Sequence, residues 1–112
     1  MKKSPDFMKN TDNRIYPGSQ YTDDIEGYVF ESNDGSQMAY WTCHKDRRTK
    51  ENSHYFDEYL VCVEGGYSVT MAGTTHTLKR GDELHIPKGT IHGGHVKAVT
   101  RTIHVFGGKR IN

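Results

Sequence analysis

Residues 52–92 read NSHYFDEYLVCVEGGYSVTMAGTTHTLKRGDELHIPKGTIH, and this stretch decides the fold class. Short runs rich in Val, Tyr, Leu and Thr alternate in it with turn sequences that contain glycine or proline. Such runs at close spacing are typical of β-strands. We predict strands here at residues 55–63, 67–72, 75–78 and 83–86. The turns between them fall at residues 64–66, 72–74, 80–82 and 87–89.

The same pattern continues on both sides of this stretch. Residues 27–31 and 37–43 are two further β-rich runs, and the Asp34-Gly35 pair between them is a strong hairpin signal. Residues 100–106 form the last run. No segment shows the helical period over about 10 to 12 residues that a core helix needs. We therefore predict an all-β sandwich or barrel of roughly seven or eight short strands.

Composition limits the chain to one small domain. It has 112 residues, a mass of 12.8 kDa and a mean hydropathy of −0.83, with 11% aromatic residues. Its 15 Lys and Arg against 14 Asp and Glu leave a net charge of +1. This balance does not favour a nucleic acid or a membrane surface as a partner. The amino terminus lacks a secretory signal pattern, so we expect a cytoplasmic protein whose Cys43 and Cys62 stay reduced.

The first 24 residues differ from the rest of the chain. They are rich in turn residues and show neither helical nor strand periodicity, so we predict an extended N-terminal arm at 1–24 and one domain at 25–112. The arm is either loose or lies over a neighbouring subunit. We expect a homodimer, because the arm offers apolar side chains for burial, namely Phe7, Met8, Ile15, Tyr16 and Tyr21.

The number and clustering of the histidines indicate a functional site. All seven lie in the last 69 residues, which is denser than packing requires. His54 and Glu58 are close enough to share a site if a bend lies between them, and His92 follows the rigid turn at residues 87–89. Imidazole and carboxylate ligands together suit divalent Fe, Mn, Ni or Zn. The alternative is that His54 and Glu58 form an incidental polar pair that binds no metal.

Two sequence blocks carry a family resemblance. The first is Asn52-Ser-His54, with Glu58 after three residues and Gly65 after six more. The second is Gly81, then Pro87-Lys88-Gly89 after five residues, and His92 after two more. In this order, over about residues 36–106, the blocks resemble the two motifs of a small single-domain microbial cupin. The resemblance implies a double-stranded β-helix, the jelly-roll barrel of the cupins.

The same resemblance implies a metal site. Carried over position by position, it makes His54, Glu58 and His92 ligands of a divalent transition metal, whereas the leading histidine of the first motif is replaced by Asn52. The neutral carbonyl oxygen of an asparagine is a weaker ligand than imidazole. The opening glycine of the first motif is replaced by Asp46 and the closing asparagine of the second by Val96. These changes leave the loop geometry at both ends open.

Cupins include enzymes and binding modules, so the resemblance leaves the activity open. It implies a small metal-binding protein that acts on or binds a small polar metabolite, as a metal-dependent oxygenase, isomerase or lyase. The alternative is a non-catalytic module that binds a small molecule or a sugar. No catalytic acid or base can be assigned. We expect the pocket to be lined by His104, Tyr40 and Cys62.

The remaining candidates each have a plain alternative. His85 alternates with apolar neighbours and should face solvent; His104 either does the same or forms a pocket wall. His44 and His95 could approach a metal, but a surface position is the simpler expectation for both, as it is for His76. Tyr40 and Trp41 must face opposite ways in a strand. Arg47-Arg48 either holds a substrate carboxylate or belongs to a solvated charged connection at residues 44–53.

Overall fold

The computed structural model describes residues 1–16 and 25–111, and within them the chain is built almost entirely from short β-strands. Ten strands are present among these residues. Their bounds are β1 Arg14–Ile15, β2 Ile25–Glu31, β3 Gln37–Cys43, β4 Arg47–Arg48, β5 Glu58–Glu64, β6 Gly66–Met71, β7 Thr74–Lys79, β8 Glu83–Ile86, β9 His92–Val96 and β10 Thr100–Phe106.

The strands form two sheets that face each other. One has six strands in the order β1-β2-β3-β10-β5-β8, and the other has four in the order β4-β9-β6-β7. Neighbouring strands are antiparallel throughout. Their inward side chains form one apolar cluster of Leu60, Cys62, Val69, Leu78 and Ile86. A second cluster consists of Ile15, Ala39, Phe106 and Ile111. The all-β barrel prediction is confirmed.

The predicted hairpin between β2 and β3 shows how local sequence sets the turns. Gly35 has a φ of 89°, which glycine adopts without the steric penalty that a Cβ brings. The Asp34 carboxylate accepts a hydrogen bond from the backbone N–H of Ser36 at 2.9 Å and one from the Ser32 hydroxyl at 2.5 Å. The Ser32 and Ser36 hydroxyls and this N–H lower the pKa of Asp34 to about 2. The turn therefore favours the ionised aspartate.

The first 16 residues pack against their own barrel. Two single-turn 3-10 helices, Asp6–Lys9 and Thr11–Asn13, lead into β1, which pairs with β2. Ile15 is buried in the second apolar cluster. The extended arm predicted for residues 1–24 is therefore not seen over residues 1–16, because β1 pairing and Ile15 burial hold this segment to the sheet. Tyr21, one of its predicted apolar groups, lies outside the described residues.

Strand β9 is a feature that sequence patterning missed. Its Gly93-Gly94 pair has low strand propensity, and no strand was predicted between residues 89 and 100. In the structure β9 pairs with β6 on one side and with β4 on the other. A Cβ at Gly94 would lie 3.0 Å from both the Ser68 carbonyl oxygen and the Tyr67 ring. The absence of a side chain at this position allows the close approach of β6 and β9.

Cys43 and Cys62 are both buried and are not joined in a disulfide. Among the described residues, no helix has the length and apolar character needed to cross a membrane.

Candidate metal centre

Three predicted ligands meet inside the barrel. Glu58 begins β5 with its side chain on the inner face, His54 lies in the loop before it, and His92 begins β9 on the opposite sheet. A bend at residues 55 and 56 separates His54 from Glu58, as the shared site requires. Backbone hydrogen bonds tie the loops together, since Asn52 and His92 exchange two at 2.8 and 2.9 Å.

The donor atoms converge on one point. Oε1 of Glu58 lies 3.5 Å from Nε2 of His54 and 3.8 Å from Nε2 of His92, and the three ligand atoms lie within 4.8 Å of one another. Ligands of one transition-metal ion at about 2.0–2.2 Å lie about 3 to 4 Å from each other. The spacing and the chemistry of two imidazoles and one carboxylate therefore fit a divalent ion with open coordination positions.

The orientation of His92 presents the correct nitrogen to this point. Its Nδ1 lies 2.9 Å from the carbonyl oxygen of Thr90. A carbonyl oxygen only accepts hydrogen bonds, so in the neutral ring Nδ1 carries the proton and Nε2 presents its lone pair toward Glu58. Metal-binding histidines usually have their second nitrogen fixed in this way.

The ring of His54 is held by aromatic contacts. It stacks on Phe56 with ring centroids 5.1 Å apart and an interplanar angle of 7°, and Phe106 meets it edge-on at 6.3 Å. Burial lowers the pKa of His54, and the positive charge of Arg110 adds to this effect against the opposing influence of Glu58. The environment therefore favours the neutral imidazole, the form that binds a metal.

A fourth residue, His104 of β10, fixes the second oxygen of Glu58. Its Nδ1 lies 2.7 Å from Oε2 of Glu58, and its Nε2 lies 3.1 Å from the Thr102 hydroxyl. If the Nδ1–H donates to the carboxylate, Nε2 accepts from Thr102, so both ring nitrogens are engaged. Oε1 then remains directed toward His54 and His92. Sequence reasoning placed His104 only on a possible pocket wall and missed its contact with Glu58.

Glu58 stays ionised although it is buried. Burial alone raises the pKa of its carboxyl group. The hydrogen bond from His104 and the positive charges of the three neighbouring histidines outweigh this effect and bring the pKa below its ordinary value. A negative carboxylate thus lies beside the imidazole of His54, whose neutral form burial favours, and an ionised carboxylate is the form that binds a divalent cation.

Asn52 occupies the rim of the site. Its backbone pairs with His92, but its side chain is exposed and its Oδ1 accepts a hydrogen bond from the Ser53 N–H at 2.8 Å. It is among the residues that line the cavity above the three ligands. The main chain thus holds Asn52 next to His92, while the side-chain oxygen Oδ1 of Asn52 is already hydrogen-bonded to Ser53.

The three ligands lie at the wall of a cavity of about 540 Å³ between the two sheets. Of the three residues expected to line the pocket, His104 is among the lining residues of this cavity, whereas Tyr40 and Cys62 are not. Tyr40 lies on the outer face of β3, where its hydroxyl contacts Ser4, and Cys62 is packed in the first apolar cluster. Trp41, which follows Tyr40 in β3 and faces the inside of the barrel, lines the cavity instead.

Tyr67 is a cavity residue that sequence reasoning did not select. Its ring lies 5.8 Å from that of His104. Burial raises the pKa of its hydroxyl far above the usual range, the negative charge of Glu58 adds to this, and the cation of Arg47 offsets only part of it. Tyr67 therefore keeps its proton at neutral pH and offers a hydrogen-bond donor. The alternation of Tyr67 with the buried Val69 was the available signal.

The other histidines lie elsewhere. His85 is exposed, with Nε2 3.1 Å from an Asp57 carboxylate oxygen, as expected for a solvent-facing strand residue. His44 is exposed beside Glu26 at 3.8 Å. Neither these two nor His76 and His95 line the cavity. Arg47 and Arg48 form β4 rather than part of an irregular loop, and both line the cavity.

Comparison with known proteins finds likeness in structure alone. No family model and no curated protein matches the chain. KdgF from Halomonas sp. aligns with a TM-score of 0.70 and 19% identity, covering 78% of this chain and 81% of that one. An RmlC-like cupin from Shewanella frigidimarina aligns with a TM-score of 0.70 and 17% identity, covering 88% and 96%.

Larger proteins contain the same fold as one part of their chain. A variant of oxalate decarboxylase from Bacillus subtilis aligns with a TM-score of 0.71 and 12% identity, covering 83% of this chain but 28% of that one. Identities this low establish a shared fold and carry no information about substrate.

Proposed function

This chain has the cupin fold, and we propose that it binds one divalent transition-metal ion through His54, Glu58 and His92 and takes a small polar metabolite into the adjoining cavity. The observation that carries the proposal is the convergence of Glu58 Oε1 with the two Nε2 atoms at 3.5 and 3.8 Å. Three protein ligands leave positions free for a ligand molecule.

A catalytic role follows from the chemistry of such a site. A bound divalent ion would polarise an oxygen of the metabolite as a Lewis acid. Around it, His104 holds Glu58 in one orientation, and Tyr67 supplies a protonated hydroxyl at the cavity wall. The apolar side chains of Trp41 and Phe106 line the same cavity. These features favour a metal-dependent enzyme of the oxygenase, isomerase or lyase type.

A non-catalytic binding module is the second candidate, and one observation favours it. Both nitrogens of His104 are engaged in hydrogen bonds, and the raised pKa of Tyr67 makes its hydroxyl a poor proton donor at neutral pH. General acid–base catalysis works best with a group that titrates near the operating pH. A site without such a group binds a metabolite through the metal without breaking a bond.

Metal titration of the stripped protein tests the metal site. Calorimetric titration with Zn²⁺ and Mn²⁺, and with Fe²⁺ under anaerobic conditions, should give about one ion per chain. His92→Ala should weaken binding at least about a hundredfold, because an inner ligand is lost. His44→Ala is the matched control, since His44 is exposed and lies outside the cavity, and it should bind as the parent does. Equal binding by both variants would refute the assigned ligands.

A further inference from the structure

The net positive charge of the cavity lining exceeds the net charge of the whole chain. Among the described residues its charged lining consists of four cationic side chains and two carboxylates, namely Arg47, Arg48, Lys50, Arg110, Glu51 and Glu58. With neutral histidines this leaves two positive charges at the cavity, whereas the whole chain has a net charge of only +1. The lining of this cavity therefore carries a net positive charge.

The main chain holds one pair of these cations firmly. Arg47 and Arg48 form β4, which pairs with Val96 and His95 of β9. The backbone continues this contact past the strand, because the Thr49 N–H donates to the Gly94 carbonyl oxygen at 2.9 Å. Since Arg47 lies opposite the inward-facing Val96, its side chain is half-buried at the cavity wall. A guanidinium held on a strand is a pre-organised donor.

Arg110 reaches the cavity from the other end of the chain. The backbone N–H groups of Arg110 and Ile111 both donate to Oε1 of Gln37 at 2.8 Å, so this carboxyl-terminal segment is fixed to β3. Its charge acts on His54, and that of Arg47 acts on Tyr67. Both residues also make interactions within the protein. With five N–H donors each, they can hold protein and ligand together.

Charge and geometry together define the ligand. An excess of cations in a partly enclosed cavity attracts an anion, and guanidinium groups form paired hydrogen bonds with carboxylate or phosphate oxygens. We propose that the ligand of this cavity is a small organic molecule with an anionic oxygen group, a carboxylate or a phosphate, held by Arg47 and Arg110. This inference rests on the proposed function, because the ligand occupies the cavity beside the metal ligands.

The rest of the lining offers an apolar surface for the carbon part of such a ligand. Trp41, Phe106, Ile25 and Val96 give the cavity an apolar wall. Trp41 is also the only tryptophan in the sequence, so tryptophan fluorescence comes from a single residue at the wall of this cavity. The position of Trp41 makes a direct binding test possible before the natural ligand is known.

The test is a fluorescence titration of Trp41 with malonate, inorganic phosphate and uncharged malonamide. It is run on metal-free protein and on zinc-loaded protein from which free zinc has been removed. We expect malonate or phosphate to bind at least about tenfold more tightly than malonamide, and the tighter of the two anions identifies the anionic group. The inference would be overturned if malonamide bound as tightly as the two anions. It would also be overturned if neither malonate nor phosphate changed the fluorescence of the metal-free or the zinc-loaded protein.

Variants assign the effect to the two arginines. Arg47→Gln and Arg110→Gln should each weaken anion binding about tenfold or more. Arg80→Gln removes the same charge from an exposed turn outside the cavity and should have no effect. Arg47→Lys keeps the charge but loses the paired geometry, so it serves if Arg47→Gln does not fold. Equal effects of the cavity variants and Arg80→Gln would show that net charge alone attracts the anion. That result would contradict the assigned site.

The two proposals fail in different ways. If zinc fails to bind but metal-free protein binds malonate through Arg47 and Arg110, the anion site stands and the metal site is wrong. If zinc binds with the expected stoichiometry and neither anion changes the fluorescence, the metal site stands and the anion inference is wrong.

Discussion

Replacing His104 by leucine isolates the role of the hydrogen bond that it makes to Glu58. His104 is buried and lies behind the carboxylate, with Nδ1 2.7 Å from Oε2. His104→Leu fills most of the same space and removes the donor. Glu58 is then left as a buried negative charge with one hydrogen bond fewer, and its Oε1 is no longer held toward His54 and His92.

The size of the effect follows from the strength of that bond. A lost hydrogen bond to a buried charged group costs about 1.5–3 kcal/mol, and about 1.4 kcal/mol corresponds to a tenfold change in affinity. Loss of a residue that orients a metal-binding side chain typically weakens metal affinity about 10- to 100-fold. We therefore expect the Kd for Zn²⁺ to rise about 10- to 100-fold in His104→Leu.

Calorimetry with Zn²⁺ measures this change, and the visible spectrum of the Co²⁺ form shows whether the coordination geometry has shifted. His104→Gln retains an N–H donor and should recover most of the affinity. Thr102→Val removes only the hydroxyl contact to Nε2, 3.1 Å away, and should cost less than His104→Leu. Parent-like affinity and spectrum in His104→Leu would refute the positioning role. A loss equal to that of His92→Ala without rescue by glutamine would make His104 a ligand.

Three further predictions concern Asn52, pH and the amino-terminal segment. Asn52→Ala should keep most of the metal affinity, because the Asn52 side-chain oxygen already accepts a hydrogen bond from the Ser53 N–H. Asn52→His should tighten metal binding, and Glu58→Ala should abolish it. Metal titration of the three variants measures these effects. Burial lowers the pKa of His54 below its ordinary 6.5, so its contribution to stability is present above that pH and is lost as the pH falls through the lowered pKa. Denaturant unfolding of metal-free protein from pH 8 to 5 should therefore show a decline that His54→Gln reduces, and an unchanged decline would contradict the assignment. Phe7 and Tyr16 are largely exposed, and light scattering of the full chain should give a homodimer that deletion of residues 1–20 weakens; a 12.8 kDa particle would contradict this.

Local sequence signals were sufficient for much of the barrel. Turn glycines and alternating apolar residues located β2, β3, β5 to β8 and β10, because both signals depend on neighbouring residues. The site residues His54, Glu58 and His92 followed from motif spacing, and the structure brings their donor atoms together. Strand β5 begins later than predicted, at Glu58, since Asp57 accepts a hydrogen bond from the Lys88 N–H and closes the loop before it.

Features that depend on distant partners could not be predicted in the same way. Alternation put Tyr40 and Trp41 on opposite faces but could not say which face was the cavity. Gly27 contributes to this arrangement, because a Cβ there would overlap the Trp41 ring. The contact of His104 with Glu58 joins residues 46 positions apart in the sequence. Such contacts arise from the register of β10 against β5, which no local pattern encodes.

The most direct test of the metal site is to locate the ion itself. A crystal of the full chain grown with Zn²⁺ should show one strong peak per chain in an anomalous difference map at the zinc edge. We predict that this peak lies about 2.0–2.2 Å from Nε2 of His54, Nε2 of His92 and Oε1 of Glu58. An ion bound elsewhere, or no peak in a crystal soaked to saturation, would contradict the assignment of these three residues.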